Sequence, residues 1–242
     1  MTATVPGRLV TLVRRADRPV CVLMPGAGGG LQPYLRLAGY LGRFYQVCAV
    51  RASGLLPGDA EEDSVPAMAD AALTALGGRS PELVFGWSLG GTVGWELCVR
   101  LADRGTCPDL VIVDSSPLPR RPVPETDERI WDIIAAGLGP RPDPATVTRL
   151  RDTFRTQLRV LAGYAATRSY PGRVLLLMCP DTPADGITGR ADAVRRWREL
   201  APNLRMATLD ADHYAVFDPS HLPLLATEMA GFLGIDPDGA AP

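Results

Sequence analysis

The sequence lacks lysine altogether, because all 25 of its basic residues are arginine. Without a lysine amine, Schiff-base chemistry and a lysine general base are excluded. The phosphate-binding loop that depends on a lysine is excluded for the same reason. Histidine is scarce as well: His213 and His221 are the only two imidazoles, and imidazole is the commonest general base. The candidates for acid–base chemistry are therefore few.

Long apolar runs are also missing, since none approaches the ~18 residues that a membrane span requires. The N-terminus has no signal-peptide pattern. The five cysteines show no CxxC spacing and lie mostly in apolar runs, which is typical of reduced packing residues. A net charge of -2 argues against a nucleic-acid binder, because neutralising phosphates needs a basic surface. We expect a cytoplasmic protein without membrane or nucleic-acid partners.

Short β-branched runs alternate with helical patterns along the 242 residues. This alternation predicts one α/β domain over residues 1–242, in which a mostly parallel sheet is flanked by helices on both faces. The predicted strands are 9–13, 20–24, 45–50, 83–87, 110–114, 174–179 and 204–209. The predicted helices lie near 32–41, 65–76, 91–103, 191–200 and 222–232.

One interval, about 118–172, interrupts this alternation with two helical patterns and no strand-like run. The first helix is expected near 126–138 and the second near 144–165. The second has its apolar residues on one face, namely Val147, Leu150, Phe154, Leu158 and Leu161. A helical insertion of this length between two strands predicts a lid over the site of the single domain.

Residues 86–91 read GWSLGG, between a predicted strand and a predicted helix. This is the strand, turn and helix context that a GxSxG nucleophile elbow requires. The glycines are needed there because the strand and the helix pass too closely for Cβ atoms. The pattern therefore predicts Ser88 as a nucleophile at the N-terminus of a helix, where the helix dipole favours negative charge.

The base that would activate Ser88 is expected to be His213. It follows the predicted strand 204–209, at the sheet edge where the elbow also lies if that strand is parallel. His221 stands just before the last predicted helix, where a role at the helix start is the simpler interpretation. The residues alone do not decide which aspartate is the acid, because Asp114 ends one predicted strand, Asp181 follows the next, and each could also cap a turn.

Backbone donors for an oxyanion are expected from two places. The Leu89 N–H directly follows the nucleophile, and a second N–H should come from the glycine-rich loop 25–30, with Ala27 in the favoured position. This loop matches neither the GxGxxG nor the lysine-containing phosphate motif, so we do not interpret it as a nucleotide site.

Four segments in this order carry a family resemblance: MPGAGG at 24–29, GWSLGG at 86–91, Asp-Ser-Ser-Pro at 114–117 and Asp-His-Tyr at 212–214. Together they resemble the thioesterases of nonribosomal peptide and polyketide synthases, in the α/β-hydrolase superfamily. The resemblance implies a serine thioesterase that needs no metal or bound cofactor. It would release an acyl or peptidyl chain, by hydrolysis or cyclisation, from the phosphopantetheine thioester of a carrier protein.

The resemblance also bears on the choice of acid. In chain-terminating members the acid follows the strand after the elbow, which favours Asp114. In discrete, type II editing members it follows the next strand, where Asp181 stands. A chain that starts with Met and shows no carrier domain is more typical of the editing members, but the elbow of those members more often has His than Trp before the serine. The resemblance therefore implies features of both types. Other interpretations are a general carboxylesterase with the same catalytic residues and a catalytically silent scaffold.

The predicted insertion is locally basic, with nine arginines against six acidic residues from Pro119 to Gly172. Arg151, Arg155 and Arg159 are spaced by four residues, so they form one stripe on a helix. Because carrier proteins of these pathways are typically acidic, the stripe is a candidate docking surface. An ordinary solvated helix face is the alternative.

Overall fold

The computed structural model describes residues 7–59, 62–180 and 189–236. Within these ranges the chain forms one seven-stranded sheet in the order β1-β3-β2-β4-β5-β6-β7. β1 pairs antiparallel with β3, and all other neighbours are parallel. The strands are β1 Leu9–Val13, β2 Val20–Met24, β3 Gln46–Val50, β4 Leu83–Trp87, β5 Asp109–Val113, β6 Val174–Met178 and β7 Leu204–Thr208. The predicted mostly parallel sheet is confirmed.

Seven α-helices accompany the sheet in the described residues. They are α1 Leu35–Leu41, α2 Val65–Leu76, α3 Leu89–Ala102, α4 Pro124–Ala136, α5 Pro144–Ala162, α6 Arg190–Leu200 and α7 Leu222–Leu233. One face of the sheet packs against α2, α3 and α6, and the other against α1 and α7. The central strands are buried on both faces, which explains why β6 reads VLLLM without alternation.

The strand register brings the C-terminal ends of β4 and β5 to the same edge of the sheet. Trp87, the last residue of β4, pairs with Val113, the last residue of β5. The next residues, Ser88 and Asp114, therefore leave the sheet side by side. Their backbones stay tied to it, since the Ser88 N–H donates to Val113 O at 2.9 Å and the Asp114 N–H donates to Leu177 O at 2.8 Å.

The segment between β5 and β6 contains α4 and α5, which pack against each other through a cluster separate from the two sheet cores. Its buried members are Ile130, Trp131, Leu150, Phe154 and Leu158. Both helices begin with proline at the first turn, where a missing N–H costs nothing. Asp143 caps α5 by accepting the Thr146 N–H at 2.8 Å.

Several helix ends differ from the prediction for local reasons. The helix expected at 32–41 is split into a 3₁₀ turn, Gln32–Tyr34, followed by α1. The helix expected from 91 begins at Leu89, directly after the elbow residue Ser88. The helix expected to reach 165 stops at Ala162, because Gly163 leaves the α conformation. None of the described helices is both long and apolar enough to cross a bilayer.

Candidate active site

Ser88 occupies a sharp turn between β4 and α3. Its backbone has φ 56 and ψ -128, and Ser88 and Asp114 are the only non-glycine residues with positive φ among those described. A Cβ on Gly86 would lie 2.1 Å from Gly90 O, and one on Gly90 would lie 2.0 Å from Met24 O. Only glycine fits at these two positions, so the sequence pattern produces the strained turn directly.

Asp114 and His213 form a buried hydrogen-bonded pair. The His213 Nδ1 lies 2.7 Å from Asp114 Oδ2, and the two residues are 2% and 0% exposed, His213 first. Ser88 lines the same cavity as both of them. A carboxylate at Nδ1 fixes the imidazole tautomer and leaves Nε2 as the nitrogen available for proton transfer. The structure thus brings together the three residues predicted as nucleophile, base and acid.

Arg190, at the start of α6, also binds the Asp114 carboxylate and was not anticipated from the sequence. Its Nη1 donates to Oδ1 and its Nη2 to Oδ2, the latter at 3.1 Å. The Cys179 N–H donates to Oδ1 at 3.0 Å. Burial acts to raise the pKa of Asp114, but the hydrogen bonds from His213 and Arg190 outweigh it and hold this pKa below its ordinary value.

The loop after β2 is held by side chains on both sides of Ala27. The Gly26 N–H donates to the Tyr34 hydroxyl at 2.8 Å, and the Gly28 N–H donates to Gln157 Oε1 at 2.7 Å. In the part of the chain that the structure describes, the Ala27 and Leu89 N–H groups donate to no protein acceptor. Ala27 and Leu89 both line the cavity beside Ser88.

Trp87 connects the elbow to the histidine. Its Nε1–H donates to His213 O at 3.0 Å, and the two rings lie 4.8 Å apart at an angle of 34°. The same indole lies against Gly26, where a Cβ would come within 2.5 Å of it. The Trp87 side chain thus contacts both His213 and the glycine-rich loop, and Trp87 directly precedes Ser88 in the chain. Sequence reasoning assigned it no function.

The cavity beside Ser88 has a volume of about 270 Å³ and mostly apolar walls. Helices α4 and α5 supply one wall, with Ile130, Ile134, Leu150 and Leu158. The catalytic candidates lie on the opposite side, at the carboxyl edge of the sheet. Such a cavity favours an apolar group placed next to a nucleophile.

The second histidine, His221, is not among the residues that line the cavity beside Ser88. His221 precedes α7, where its Nδ1 lies 3.1 Å from Ala215 O. Asp181 lies outside the described residues. Among the described residues, no group of three or more His, Cys, Asp or Glu side chains is arranged to hold a metal ion.

The arginine stripe is partly neutralised by its neighbours on α4 and α5. Arg151 pairs with Glu128 at 2.8 Å and lies over the Trp131 ring, 5.4 Å from its centroid. Arg155 lies 4.0 Å from the same Glu128, and its side chain is 57% exposed. The Arg159 Nη2 donates to the Thr156 hydroxyl at 2.9 Å.

Comparisons with known proteins identify the family of the chain and solved structures that share its fold. The sequence model of the family described as Thioesterase domain matches residues 19–230. The NocB thioesterase domain from the nocardicin cluster, in covalent complex with a fluorophosphonate nocardicin G analog, is 27% identical, with a TM-score of 0.75 over 93% of this chain and 99% of that one. No curated protein sequence gives a significant match.

Two further solved structures share the fold at lower identity. The Vlm2 thioesterase domain, bound with a dodecadepsipeptide, is 20% identical with a TM-score of 0.75, covering 95% of this chain and 99% of that one. A four-domain nonribosomal peptide synthetase bound to AMP and glycine is 19% identical with a TM-score of 0.76. That match covers 96% of this chain and 20% of the synthetase.

Proposed function

This chain belongs to the Thioesterase domain family, and from that premise we propose that it releases an acyl or peptidyl chain from the phosphopantetheine thioester of a carrier protein. The observation that carries the proposal is the shared, mostly apolar cavity, which Ser88 and the hydrogen-bonded His213–Asp114 pair all line. The NocB and Vlm2 domains support the same substrate class, because their structures hold a nocardicin analog and a depsipeptide.

In the proposed first step, the His213 Nε2 accepts the proton of the Ser88 hydroxyl as Oγ attacks the thioester carbonyl. The carbonyl oxygen becomes an oxyanion, which the Ala27 and Leu89 N–H groups stabilise. When the intermediate collapses, the C–S bond breaks and the imidazolium returns its proton to the departing thiol. Asp114 stabilises that imidazolium throughout.

In the second step a water, or a nucleophile within the bound chain, attacks the Ser88 ester. His213 takes the proton of this nucleophile and then returns one to the Ser88 Oγ, so the enzyme is restored. We propose that α4 and α5 act as a lid over the acyl group. Their apolar side chains would exclude water and so favour an internal nucleophile where the chain provides one.

The first test is fluorophosphonate labelling, read by mass spectrometry of the intact protein. Wild type should gain one adduct, and Ser88→Ala should gain none. His213→Ala should slow labelling strongly, whereas the matched control His221→Ala should not. A labelled Ser88→Ala protein would contradict the assignment of the nucleophile.

The acid is tested by a matched pair of aspartate variants. Asp114→Asn should lower thioester turnover by about 10⁴-fold, because the imidazole loses the partner that fixes its tautomer. Asp181→Asn should leave turnover close to that of wild type. A larger loss from Asp181→Asn would reverse the assignment.

Substrate class is tested by comparing three acyl donors that carry one acyl group. The proposal expects the carrier-bound thioester to have a higher kcat/KM than a small soluble thioester or an oxygen ester. Equal turnover of the oxygen ester and the carrier-bound thioester would favour a general carboxylesterase. Preference for short, non-cognate acyl groups on the carrier would favour an editing thioesterase.

We further propose that the carrier protein docks on the stripe formed by Arg151, Arg155 and Arg159. Arg155 is the sharpest probe because it is the more exposed of the two arginines near Glu128. At low salt, Arg155→Glu should lower kcat/KM for the carrier-bound substrate and leave a small soluble thioester unaffected. The control is Arg195→Glu on α6, an exposed arginine paired with Asp192. Equal effects of the two variants would contradict docking at the stripe.

A further inference from the structure

A hydrogen bond joins the inserted helix α5 to the glycine-rich loop after β2. The Gln157 Oε1 accepts the Gly28 N–H at 2.7 Å, between residues that are 129 positions apart in the sequence. Gln157 is 5% exposed, so the contact is shielded from water. Leaving the buried Gly28 N–H without an acceptor would cost free energy of folding. The loop conformation in which Gln157 accepts this N–H is therefore favoured.

The position of this bond matters because Gly28 directly follows Ala27. The preceding amide, Gly26 N–H, is held by the Tyr34 hydroxyl at 2.8 Å. Burial raises the pKa of Tyr34 and so keeps this hydroxyl uncharged. The amides on either side of Ala27 are therefore fixed by side chains, while the Ala27 N–H donates to no acceptor within the described residues.

The conformation of the loop needs such support. Gly28 has φ +88, and a Cβ on it would lie 3.3 Å from the Ile134 side chain of α4. Glycine in this region has many alternative conformations, so the loop would not hold one peptide orientation by itself. An oxyanion donor must be oriented before the reaction, because reorientation during the reaction would cancel much of its effect.

Gln157 does not itself contact the reacting groups. Of the described residues, those that line the cavity beside Ser88 include Leu150, Leu158 and Leu161 of α5 but not Gln157. Its amide oxygen reaches the loop instead. Its influence on the chemistry would therefore pass through the backbone of residues 26–28.

We propose that Gln157 is a positioning residue that fixes the Ala27 N–H as an oxyanion donor and thereby makes the reaction depend on the seating of α5. The inference rests on the proposed function, since it requires an acyl transfer at Ser88. Helix α5 then has two functions, because it supplies part of the cavity wall and holds the loop that stabilises the developing charge.

The test is a kcat and KM comparison on a small soluble acyl thioester, which avoids any effect on carrier docking. Gln157→Leu should lower kcat by about 10–100-fold, below the roughly 10²–10³-fold loss of a whole oxyanion donor, because the Ala27 N–H is displaced but not removed. KM should change by less than about 3-fold, because a donor that acts in the transition state contributes little to substrate binding. Inactivation by a fluorophosphonate should slow in parallel.

The matched control is Thr153→Val, one turn earlier on α5. The Thr153 hydroxyl donates to Ser53 O at 3.4 Å, so this variant removes a hydrogen bond between the same helix and a different loop. It should keep kcat within about 3-fold of wild type, since it leaves the donors to the oxyanion in place. If Gln157→Leu unfolds, Gln157→Asn gives the same readout, because its shorter carbonyl cannot reach Gly28.

The outcomes separate this inference from the proposed function. If Ser88→Ala is inactive and the Gln157 variants match Thr153→Val in kcat, the positioning role is refuted and the thioesterase proposal stands. A rise in KM with unchanged kcat would also refute it, since Gln157 would then only shape the cavity. Full thioester turnover by Ser88→Ala would refute the proposed function itself.

Discussion

Replacing Arg190 with methionine would test how the buried carboxylate at the centre of the site is stabilised. Asp114 is fully buried and accepts hydrogen bonds from His213, Cys179 N–H and both terminal nitrogens of Arg190. Methionine keeps the apolar stem and removes the charge together with two of these donors. The carboxylate would keep the other two.

The expected cost follows from the burial of both partners, whose side chains are 7% and 0% exposed. Breaking a buried ion pair typically costs about 3–5 kcal/mol. We expect about 3 kcal/mol for Arg190→Met, at the low end of this range, because two donors to the carboxylate remain. For a chain of this size each kcal/mol lowers Tm by roughly 2–4 °C, so we expect a fall of about 6–12 °C. Arg195→Met, which removes an exposed pair on the same helix, should change stability by less than about 0.5 kcal/mol.

The pH dependence gives an independent check. Because the pKa of Asp114 is lowered in the folded protein, the stability that its ionisation contributes is complete above the ordinary value of 3.8. It is lost as pH falls below that value towards the folded pKa. Asp114 titrates alike in the two unfolded chains, so the stability gap between wild type and Arg190→Met depends on its pKa in the two folded proteins, and this pKa is higher in the variant because Arg190 no longer lowers it. The gap, measured by urea unfolding, should therefore be largest near pH ~7 and narrow as pH falls through the Asp114 pKa of the folded variant. A gap near zero at about pH 7, or one unchanged at about pH 3, would refute the reasoning.

Two further substitutions test the elbow. Gly90→Ala places a Cβ 2.0 Å from Met24 O, so thermal unfolding should show a loss of more than about 4 kcal/mol in stability. The control is Gly39→Ala, which should be tolerated because no atom lies within 4 Å of its added Cβ. Trp87→Phe keeps an aromatic ring beside the imidazole but removes the 3.0 Å hydrogen bond to His213 O. This variant should lower the free energy of unfolding by about 1 kcal/mol. It should lower kcat by about 3–10-fold, because the position of His213 is less constrained. An unchanged kcat would mean that the indole N–H does not position His213.

The features that the sequence predicted well are those encoded over short distances. Helix α2 occupies the predicted residues because Ser64 caps its start by accepting the Ala67 N–H and Gly77 ends it in the left-handed conformation. The elbow was predictable for the same reason, since its glycines and Ser88 are adjacent in the chain. The central strands were recognisable as unbroken apolar runs.

The features that could not be predicted depend on contacts between distant residues. Arg190 binds Asp114 across 76 positions, Trp87 binds His213 O across 126, and Gln157 binds Gly28 across 129. No periodicity or local motif encodes such pairs. The antiparallel pairing of β1 with β3 is likewise a tertiary outcome, since a short apolar strand carries no signal for its direction.

The insertion of α4 and α5 leaves β5 and β6 paired side by side, as Leu110 with Val174 through Val113 with Leu177. The pairing of β5 with β6 therefore does not depend on the length of the segment that connects them. The helices between them could therefore change in length or surface without displacing Ser88 or Asp114, which follow β4 and β5. Under the proposed role of Gln157, any replacement of α5 must still present an acceptor to the Gly28 N–H.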